Sequence, residues 1–254
     1  MNIKGKCIIV TGGAGGIGVA IVKMLLKSGA IIGVVDKNKT KLNYMKKSIK
    51  NDQKDRAFFY EIDIGHFEQV EETVNDFFNK CQSIDGLINN AAILKDAPLI
   101  SAYQGQLKKY SLDTWHETLS SNLSGYFYVS REVVEKMVQK RTKGIIVNIS
   151  SISSAGNIGQ TSYAASKAAV NALTVTWAQE LSMFGIRVAG LAPGMTDTSM
   201  PKNAMTDQQL KTWVGMTPLK RMATPEEIAE GILFIIRNRY FCGRILELDG
   251  GLRM

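Results

Sequence analysis

The sequence predicts an α/β protein built as a single domain, with a doubly wound parallel sheet of seven strands and helices on both faces. Three observations indicate this class. Short apolar runs alternate with segments whose apolar residues recur at helical spacing, the turn after the first run is rich in glycine, and no linker or internal repeat divides the 254 residues. Strand–helix alternation requires crossover connections, which produce parallel strands covered on both faces.

The alternation continues along the whole chain. Apolar runs predict strands at residues 7–10, 31–35, 57–60, 86–88, 144–149, 187–192 and 245–248. Helical spacing predicts helices at 20–26, 42–49, 67–78, 115–141 and 162–184, and a last helix that begins at the TPEE segment 224–227. The polar stretch 91–115 fits neither pattern and is predicted to be an irregular surface excursion.

The glycine-rich segment TGGAGGIG, residues 11–18, lies between the first strand and the first helix. Gly12 allows a sharp reversal of the chain, Gly16 leaves room for a pyrophosphate, and Gly18 allows the helix to pack closely on the strand. The free N–H groups and partial positive charge of the helix N-terminus favour phosphate. The segment therefore predicts a dinucleotide site of the Rossmann type.

A carboxylate follows the second strand where such sites bind the adenosine ribose. Asp36 lies 18 residues after Gly18, at the end of an apolar run. A carboxylate accepts hydrogen bonds from ribose hydroxyls and repels a 2′-phosphate, so Asp36 favours NAD over NADP. Lys37 directly after it opposes this preference. The alternative interpretation of Asp36 is a solvated acid at a strand end.

The carboxyl ends of parallel strands lie along one edge of a sheet, and ligands bind there. In this chain those ends carry the glycine segment, Asp36, Asp63, residues 89–92, residues 150–151 and residues 193–194. These residues therefore converge on one crevice, which is the predicted functional site.

Tyr163 and Lys167 stand at positions i and i+4 of the next helix and share one face. A phenol with a pKa of about 10 is a poor acid or base at neutral pH, and a neighbouring ammonium, helped by the positive nicotinamide ring, favours the phenolate and lowers that pKa. Tyr163 could then take a proton from an alcohol as hydride leaves, or return it to a carbonyl oxygen held by a serine hydroxyl. The alternative is a chance spacing on a helix.

These motifs resemble the short-chain dehydrogenase/reductase family over nearly the whole chain, and within it the 3-oxoacyl reductases and the 3-hydroxyacyl-CoA and hydroxysteroid dehydrogenases. The matching segments are TGGAGGIG, DI (63–64), NNAA (89–92), Asn122, IVNISS (146–151), YAASK (163–167) and APG (192–194). The resemblance implies a catalytic tetrad of Asn122, Ser151, Tyr163 and Lys167. Asn122 would bend a helix and hold a water that links the lysine to solvent, and Lys167 would also bind the nicotinamide ribose.

The resemblance also implies which residues hold the cofactor. Asp63 would reach the adenine, while Ile64 and Asn90 would supply backbone contacts. Thr196 and Thr198 would hold the carboxamide end. The full predicted set is Gly12, Gly15, Gly16, Ile17, Gly18, Asp36, Asp63, Ile64, Asn90, Tyr163, Lys167, Thr196 and Thr198.

Two departures from the family pattern bear on the site. The family usually has glycine where this chain has Ala92, and a small side chain is expected to be tolerated there. The usual spacing between the catalytic serine and the tyrosine is 13 residues, whereas Ser151 precedes Tyr163 by 12 and Ser150 by 13. Alignment from the strand favours Ser151, with one residue missing from the following loop, and Ser150 stays the alternative.

The predicted activity is hydride transfer between NAD and a secondary alcohol or ketone, with a 3-hydroxyacyl or 3-oxoacyl thioester as a candidate substrate. The glycine segment lacks the basic residue common in NADP-using members, so NADP is less favoured. Residues 195–216 are predicted to form a substrate lid. Its candidate apolar lining is Met195, Met200, Met205, Trp213 and Met216. The alternatives are an NADPH-dependent ketoreductase of lipid or natural-product synthesis and a dinucleotide-binding protein without turnover.

Composition indicates the compartment and the partners. The net charge is +8, but the lysines are scattered and no aromatic-interleaved basic stripe predicts nucleic-acid binding. Three distant cysteines fit free thiols in a reducing compartment, and the two histidines make no metal-ligand pattern. With no apolar run long enough to span a membrane, we expect a cytoplasmic protein without metal, membrane or nucleic-acid partners. The resemblance implies a homodimer or homotetramer, built partly through the helices after Asn122 and near Tyr163.

Overall fold

The computed structural model describes residues 1–103 and 105–253. Its strands are β1 (Cys7–Thr11), β2 (Ile31–Asp36), β3 (Ala57–Glu61), β4 (Gly86–Asn89), β5 (Ile100–Tyr103), β6 (Gln106–Lys109), β7 (Ile145–Ile149), β8 (Arg187–Pro193) and β9 (Ile245–Leu248). Its α-helices are α1 (Gly16–Lys27), α2 (Lys39–Ser48), α3 (Phe67–Cys81), α4 (Leu112–Leu119), α5 (Gly125–Gln139), α6 (Thr161–Glu180), α7 (Ser199–Ala204), α8 (Asp207–Met216) and α9 (Pro225–Arg237). A π-helical turn, Ser120–Ser124, joins α4 to α5.

Seven strands form one parallel sheet in the order β3-β2-β1-β4-β7-β8-β9. The register of β1 on β2 runs from Cys7 opposite Ile31 to Thr11 opposite Val35. The chain builds outward from β1 to β3, then returns to start β4 on the other side of β1. Strands β1 and β4 therefore flank the switch point at which sheets of this kind bind ligands. The predicted doubly wound seven-stranded sheet is confirmed.

Two hydrophobic layers cover the sheet. In β1, Ile8 and Val10 belong to the core formed with α1, α2 and α9, whereas Cys7 and Ile9 belong to the core formed with α3, α5 and α6. All four side chains are buried. The split arises because successive side chains of a strand point to opposite faces. Helices on both faces are thus required to cover β1.

The last helix begins where its sequence predicts. The Thr224 hydroxyl accepts the backbone N–H of Glu227 at 3.2 Å, and the Glu227 carboxylate accepts the backbone N–H of Thr224 at 2.8 Å. Pro225 occupies the first turn, where its missing N–H costs no hydrogen bond. These reciprocal caps fix the start of α9.

Two of the predicted segments differ in the structure. The stretch predicted as irregular contains an antiparallel hairpin, in which Ile100 lies opposite Lys109 and Ala102 opposite Leu107. Every residue of β6 is exposed, so the strand lacks the apolar alternation that predicts strands. The single helix predicted at 115–141 is two helices with the π-helical turn between them, and it begins earlier because Ser111 caps α4.

The segment predicted as a lid, residues 195–216, contains α7 and α8. Thr206 and Gln209 form a reciprocal capping box at the start of α8. The segment is therefore helical and has defined ends. Within the described ranges, no helix combines the length and the apolar character needed to cross a bilayer.

Candidate active site

A cavity of ≈ 600 Å³ opens at the carboxyl ends of the central strands. Most residues of the predicted site line it: Gly12, Gly15, Gly16, Ile17, Asp36, Asp63, Ile64, Asn90, Ser150, Ser151, Tyr163, Lys167, Thr196 and Thr198. Gly18 and Asn122 are outside this lining. The topology therefore brings together residues that are far apart in the sequence.

The glycines of the first turn are required by close approaches. Gly12 has a φ of +61°, and a Cβ there would lie 2.7 Å from the Ala91 Cα. A Cβ on Gly16 would lie 2.5 Å from the Thr198 Cγ2, and one on Gly18 would lie 2.0 Å from the Gly12 carbonyl oxygen. Gly16 thus makes room for Thr198, near the start of residues 195–216. Gly18 packs on the turn itself, where the sequence predicted packing on the strand.

The N-terminus of α1 can receive an anion. Gly15 caps the helix without any side-chain hydrogen bond, and the first turn carries no acidic residue. The first N–H groups of a helix have no intrahelical partner and carry a partial positive charge. Because this end lines the cavity, the residues fit the pyrophosphate of a dinucleotide.

Asn90 holds the glycine turn in place. Its Nδ2 donates to the carbonyl oxygens of Thr11 at 3.2 Å and Gly12 at 3.0 Å. Its backbone N–H donates to the Thr11 hydroxyl at 3.0 Å. The side chain of Asn90 therefore ties the end of β4 to the end of β1, in addition to the backbone contact with cofactor that the resemblance implies.

Asp36 links the end of β2 to the glycine turn. Its carboxylate accepts the backbone N–H of Ala14 at 3.1 Å and that of Asn38 at 3.0 Å. A carboxylate has about four acceptor positions, so further hydrogen bonds remain available. Since Asp36 lines the cavity, ribose hydroxyls can use them.

Lys37 is paired with Asp63, a contact that the sequence did not predict. The Lys37 Nζ lies 3.2 Å from an Asp63 oxygen, and the Gly65 N–H donates to the other oxygen at 3.0 Å. Burial opposes ionisation of Asp63, but the Gly65 N–H and the Lys37 ammonium outweigh it and lower the pKa of that carboxyl. The Lys37 ammonium next to Asp36 is therefore directed towards Asp63.

The two serines after β7 have different partners. The Ser151 hydroxyl interacts with the Tyr163 phenol and accepts the backbone N–H of Ser153 at 3.1 Å. The Ser150 hydroxyl instead donates to the backbone carbonyl of Lys167 at 3.3 Å. Both serines line the cavity, but Ser151 is the one whose hydroxyl lowers the pKa of the Tyr163 phenol.

Burial dominates the acid–base properties of the Tyr163–Lys167 pair. Burial raises the pKa of Tyr163 to about 12. The charge of Asp96 raises this pKa as well, whereas the Ser151 hydroxyl lowers it. Burial also lowers the pKa of Lys167 to about 7. The sequence predicts that the lysine, helped by the positive nicotinamide ring, lowers the pKa of the phenol. Protein groups alone do not achieve this, because a buried lysine is only partly charged at neutral pH.

Asn122 lies in the π-helical turn Ser120–Ser124, and its side chain is fully buried. Its Oδ1 accepts the Ile93 N–H at 2.9 Å, and its Nδ2 donates to the Ile93 carbonyl at 2.9 Å and to the Ser166 hydroxyl at 3.4 Å. Asn122 therefore pins the segment after β4 to α6 from a bend in the helix. Its part in a proton relay stays a prediction.

Ala92 keeps a φ that ordinary residues adopt.

Residues 195–216, the segment predicted to be a lid, contribute apolar side chains to the cavity lining. Met195, Met200, Met205 and Trp213 belong to the lining. Met216 does not, since it lies exposed at the end of α8. Thr196, at the start of the segment, is buried and donates its hydroxyl to a backbone carbonyl at 3.1 Å.

Gln160 and Tyr126 are near the site but were not predicted from the sequence. Gln160 lines the cavity, is 4% exposed, and donates its Nε2 to Asp96 at 3.2 Å. Its position three residues before Tyr163, in the last turn before the helix, is the signal that could have found it. Tyr126 contacts Lys167, but an aromatic residue in an apolar helix pattern carries no such signal.

The fold and the cavity define a dinucleotide-binding α/β enzyme, and comparisons with known proteins identify the family. The family model described as "short chain dehydrogenase" matches residues 6–209. The 3-oxoacyl-[acyl-carrier-protein] reductase FabG of Thermotoga maritima is 36% identical over 255 residues, with 99% of each chain covered. The sorbitol-6-phosphate 2-dehydrogenase of Klebsiella pneumoniae is 31% identical over 269 residues, covering 99% of this chain and 97% of that protein.

Solved structures agree with these relatives. A short chain dehydrogenase from Bacillus anthracis superposes with a TM-score of 0.89 at 28% identity, over 99% of this chain and 98% of that one. This chain belongs to the short-chain dehydrogenase/reductase family. It is an oxidoreductase that acts on CH–OH or C=O groups with a nicotinamide cofactor.

Proposed function

We propose that this chain is an NAD-dependent dehydrogenase/reductase that moves hydride between the cofactor and a secondary alcohol or ketone, with 3-hydroxyacyl or 3-oxoacyl thioesters as its substrates. One observation carries the proposal. Tyr163, Ser151 and Lys167 line the same cavity as the uncapped N-terminus of α1. A proton donor, a hydroxyl that can hold an oxygen, and a pyrophosphate site are thereby combined.

The protein groups handle the proton and the substrate oxygen. When bound, the nicotinamide ring supplies or accepts the hydride. Ser151 donates a hydrogen bond to the substrate oxygen, and the Tyr163 hydroxyl gives that oxygen its proton during reduction. A phenol with a pKa of about 12 is protonated at neutral pH, which suits reduction. Oxidation needs additional positive charge beside Tyr163, and Lys167 is the protein group that can contribute it.

The preference for NAD rests on Asp36. Its carboxylate stands at the end of β2 in the cavity and would repel a 2′-phosphate. Lys37 offers little compensation, because Asp63 pairs with it at 3.2 Å. Lys41 also lines the cavity and is the observation that favours the NADPH-dependent alternative.

Two observations support the thioester substrate. Relatives from several bacteria carry the name 3-oxoacyl-[acyl-carrier-protein] reductase, among them those from Thermotoga maritima and Chlamydia pneumoniae. The lid residues Met200, Met205 and Trp213 give the cavity an apolar wall that suits an acyl chain. The relative named sorbitol-6-phosphate 2-dehydrogenase makes a polyol phosphate the competing substrate class.

The test measures NADH and NADPH consumption with acetoacetyl-CoA, and NAD reduction with sorbitol 6-phosphate. We expect NADH-dependent turnover of the thioester, and a loss of at least about 10²-fold in kcat in Tyr163→Phe, because the proton donor is removed. NADH binding, followed by fluorescence, should persist in this variant. Tyr44→Phe is the matched control, since Tyr44 is an exposed tyrosine of α2.

Each other outcome rejects a different part of the proposal. Full activity in Tyr163→Phe would reject the assigned proton donor. Turnover of sorbitol 6-phosphate without turnover of the thioester would keep the enzyme and discard the substrate class. NADH binding without turnover of either substrate or of a wider ketone panel would favour the dinucleotide-binding protein.

We also propose that the protein is a cytoplasmic homodimer or homotetramer. Its three cysteines, Cys7, Cys81 and Cys242, are free thiols, as expected in a reducing compartment. Phe127 on α5 and Val175 on α6 are large apolar side chains exposed on the two helices that the family resemblance assigns to the interface.

A further inference from the structure

Tyr126 is a fully buried tyrosine whose hydroxyl contacts the lysine of the site. It lies on α5, directly after the π-helical turn. Its hydroxyl lies 3.3 Å from the Lys167 Nζ and 3.2 Å from the carbonyl oxygen of Ile149. The Lys167 Nζ lies 2.7 Å from that same carbonyl and 5.1 Å from the centre of the Tyr126 ring. These three polar groups form a closed triangle.

The protonation states orient the hydrogen bonds of this triangle. Burial raises the pKa of Tyr126 well above its usual value, so its phenol keeps its proton. A phenol has one hydrogen to donate, and the Ile149 carbonyl can only accept. The Tyr126 oxygen therefore has lone pairs free for an N–H of Lys167.

We propose that Tyr126 is a positioning residue that holds the Lys167 Nζ at the end of β7, beside Tyr163, and supplies a hydrogen-bond acceptor to its charged form. This inference rests on the proposed function, in which Lys167 assists Tyr163. Tyr126 does not line the cavity, so it acts through Lys167 and not on the substrate. The closed triangle joins α5, β7 and α6 immediately before the two serines.

Lys167 needs such an acceptor because few groups favour its charge. It is 1% exposed, and burial lowers its pKa to about 7. In the part of the chain that the structure describes, the titratable side chains facing it are Tyr126 from α5 and Tyr163 from its own helix, and no carboxylate contributes to its pKa shift. Asp96 acts on Tyr163 from the loop after β4. An acceptor on the ammonium favours the charged form and opposes the effect of burial.

Packing alone does not account for a tyrosine here. Burying a hydroxyl costs free energy unless it forms hydrogen bonds, and phenylalanine would fill nearly the same volume without that cost. The Tyr126 hydroxyl is satisfied by Ile149 and Lys167. The hydroxyl is therefore placed where it affects the lysine.

The test removes the hydroxyl and keeps the ring, with Tyr126→Phe. We expect the pKa of Lys167 to fall below its value of about 7. The 13Cε signal of labelled lysine follows this pKa, and loss of the signal in Lys167→Arg assigns it. The pH at which the rate of ketone reduction has dropped by half should move down with the pKa of Lys167, because loss of the Lys167 ammonium raises the pKa of Tyr163 further and makes the phenol a weaker proton donor. At pH 8 we expect a kcat lower by on the order of tenfold, with little change in the KM for NADH.

Tyr128→Phe is the matched control. Tyr128 lies two residues along the same helix, half-buried against Phe67, with ring centres 5.7 Å apart. Its pH profile and lysine titration should equal those of the wild type. Tm and circular dichroism of both variants show whether the fold is kept.

The lysine titration separates this inference from the proposed function, since it needs no turnover. A lowered pKa of Lys167 in Tyr126→Phe supports the inference even if no substrate is turned over, in which case only the proposed function fails. An unchanged titration and an unchanged pH profile, with at most a lower Tm, would make Tyr126 a packing residue and overturn the inference.

Discussion

At the scale of residues, neighbours in the sequence have different surroundings in the fold. Ser150 and Ser151 follow the same strand, yet one bonds the backbone of α6 and the other contacts the Tyr163 phenol. The backbone turns between the two serines, because β7 ends at Ile149 and Ser151 already caps the next short helix. Sequence spacing favoured Ser150 and strand alignment favoured Ser151, and the contact with the phenol supports the second.

The two serines can be separated by substitution. Ser151→Ala should reduce kcat by about 10²-fold, because a hydrogen bond to the developing charge on the substrate oxygen is lost. Ser150→Ala should keep kcat within a few fold and cost on the order of 1 kcal/mol of stability, from the lost bond to the Lys167 carbonyl. Steady-state kinetics and thermal unfolding measure both effects. An inactive Ser150→Ala beside an active Ser151→Ala would reverse the assignment.

At the scale of elements, the ends of β1, β2 and β4 build the cofactor site as one unit. Asp36 bonds Ala14 in the glycine turn, and Asn90 bonds the carbonyls of Thr11 and Gly12. The glycine motif and the strand-end acid were predicted as separate signals. Their hydrogen bonds to one another were not, because they join residues more than 20 positions apart.

Asp36 should decide the choice between the two nicotinamide cofactors. Asp36→Ala should raise the Kd for NADH and reduce the preference for NADH over NADPH by on the order of tenfold. The substitution removes the hydrogen bonds to the ribose, and it also removes the charge that repels a 2′-phosphate. Asp36→Asn keeps one acceptor oxygen and removes only the charge, so it should improve NADPH binding with a smaller loss of NADH. Titration of cofactor fluorescence measures each Kd.

An exposed aspartate serves as the control for this measurement. Asp52 lies exposed in the short 3-10 helix Asn51–Arg56, so Asp52→Asn should change neither the Kd for NADH nor that for NADPH. An unchanged preference in both Asp36 variants would contradict the assignment of Asp36 and direct attention to Lys41.

At the scale of the whole molecule, the exposed apolar residues of α5 and α6 remain unexplained by the single chain. Phe127 and Val175 are 47% and 37% exposed, and Met183 and Phe184 follow just after α6. Large apolar side chains at a surface are stabilised when a second copy covers them. The inner faces of the same helices pack on the sheet, so an interface there would join directly to the site.

An acidic substitution tests this interface. Phe127→Glu should lower the mass measured by light scattering from a multiple of 27.9 kDa towards that of one chain, because a charge is costly to bury in an apolar contact. Tyr44→Glu, on exposed α2, should leave the mass unchanged. A monomeric wild type would contradict the proposed dimer or tetramer.

The sequence alone predicted the seven strands, the parallel sheet and the crevice at its edge, because strand alternation, helical spacing and glycine turns are local properties. The hairpin of β5 and β6 and the π-helical turn escaped prediction, since the first is polar on every side of β6 and the second interrupts a continuous helical pattern.

Only the tertiary structure decided which groups surround each functional side chain. The contacts of Lys37 with Asp63, of Ser151 with Tyr163 and of Tyr126 with Lys167 join different elements. Burial by several elements raises the pKa of Tyr163 and lowers that of Lys167, and it thereby favours the neutral form of each side chain. The reason is physical: periodicity reports which face of an element is buried, whereas hydrogen bonds and pKa values depend on the atoms that other elements bring within a few ångströms.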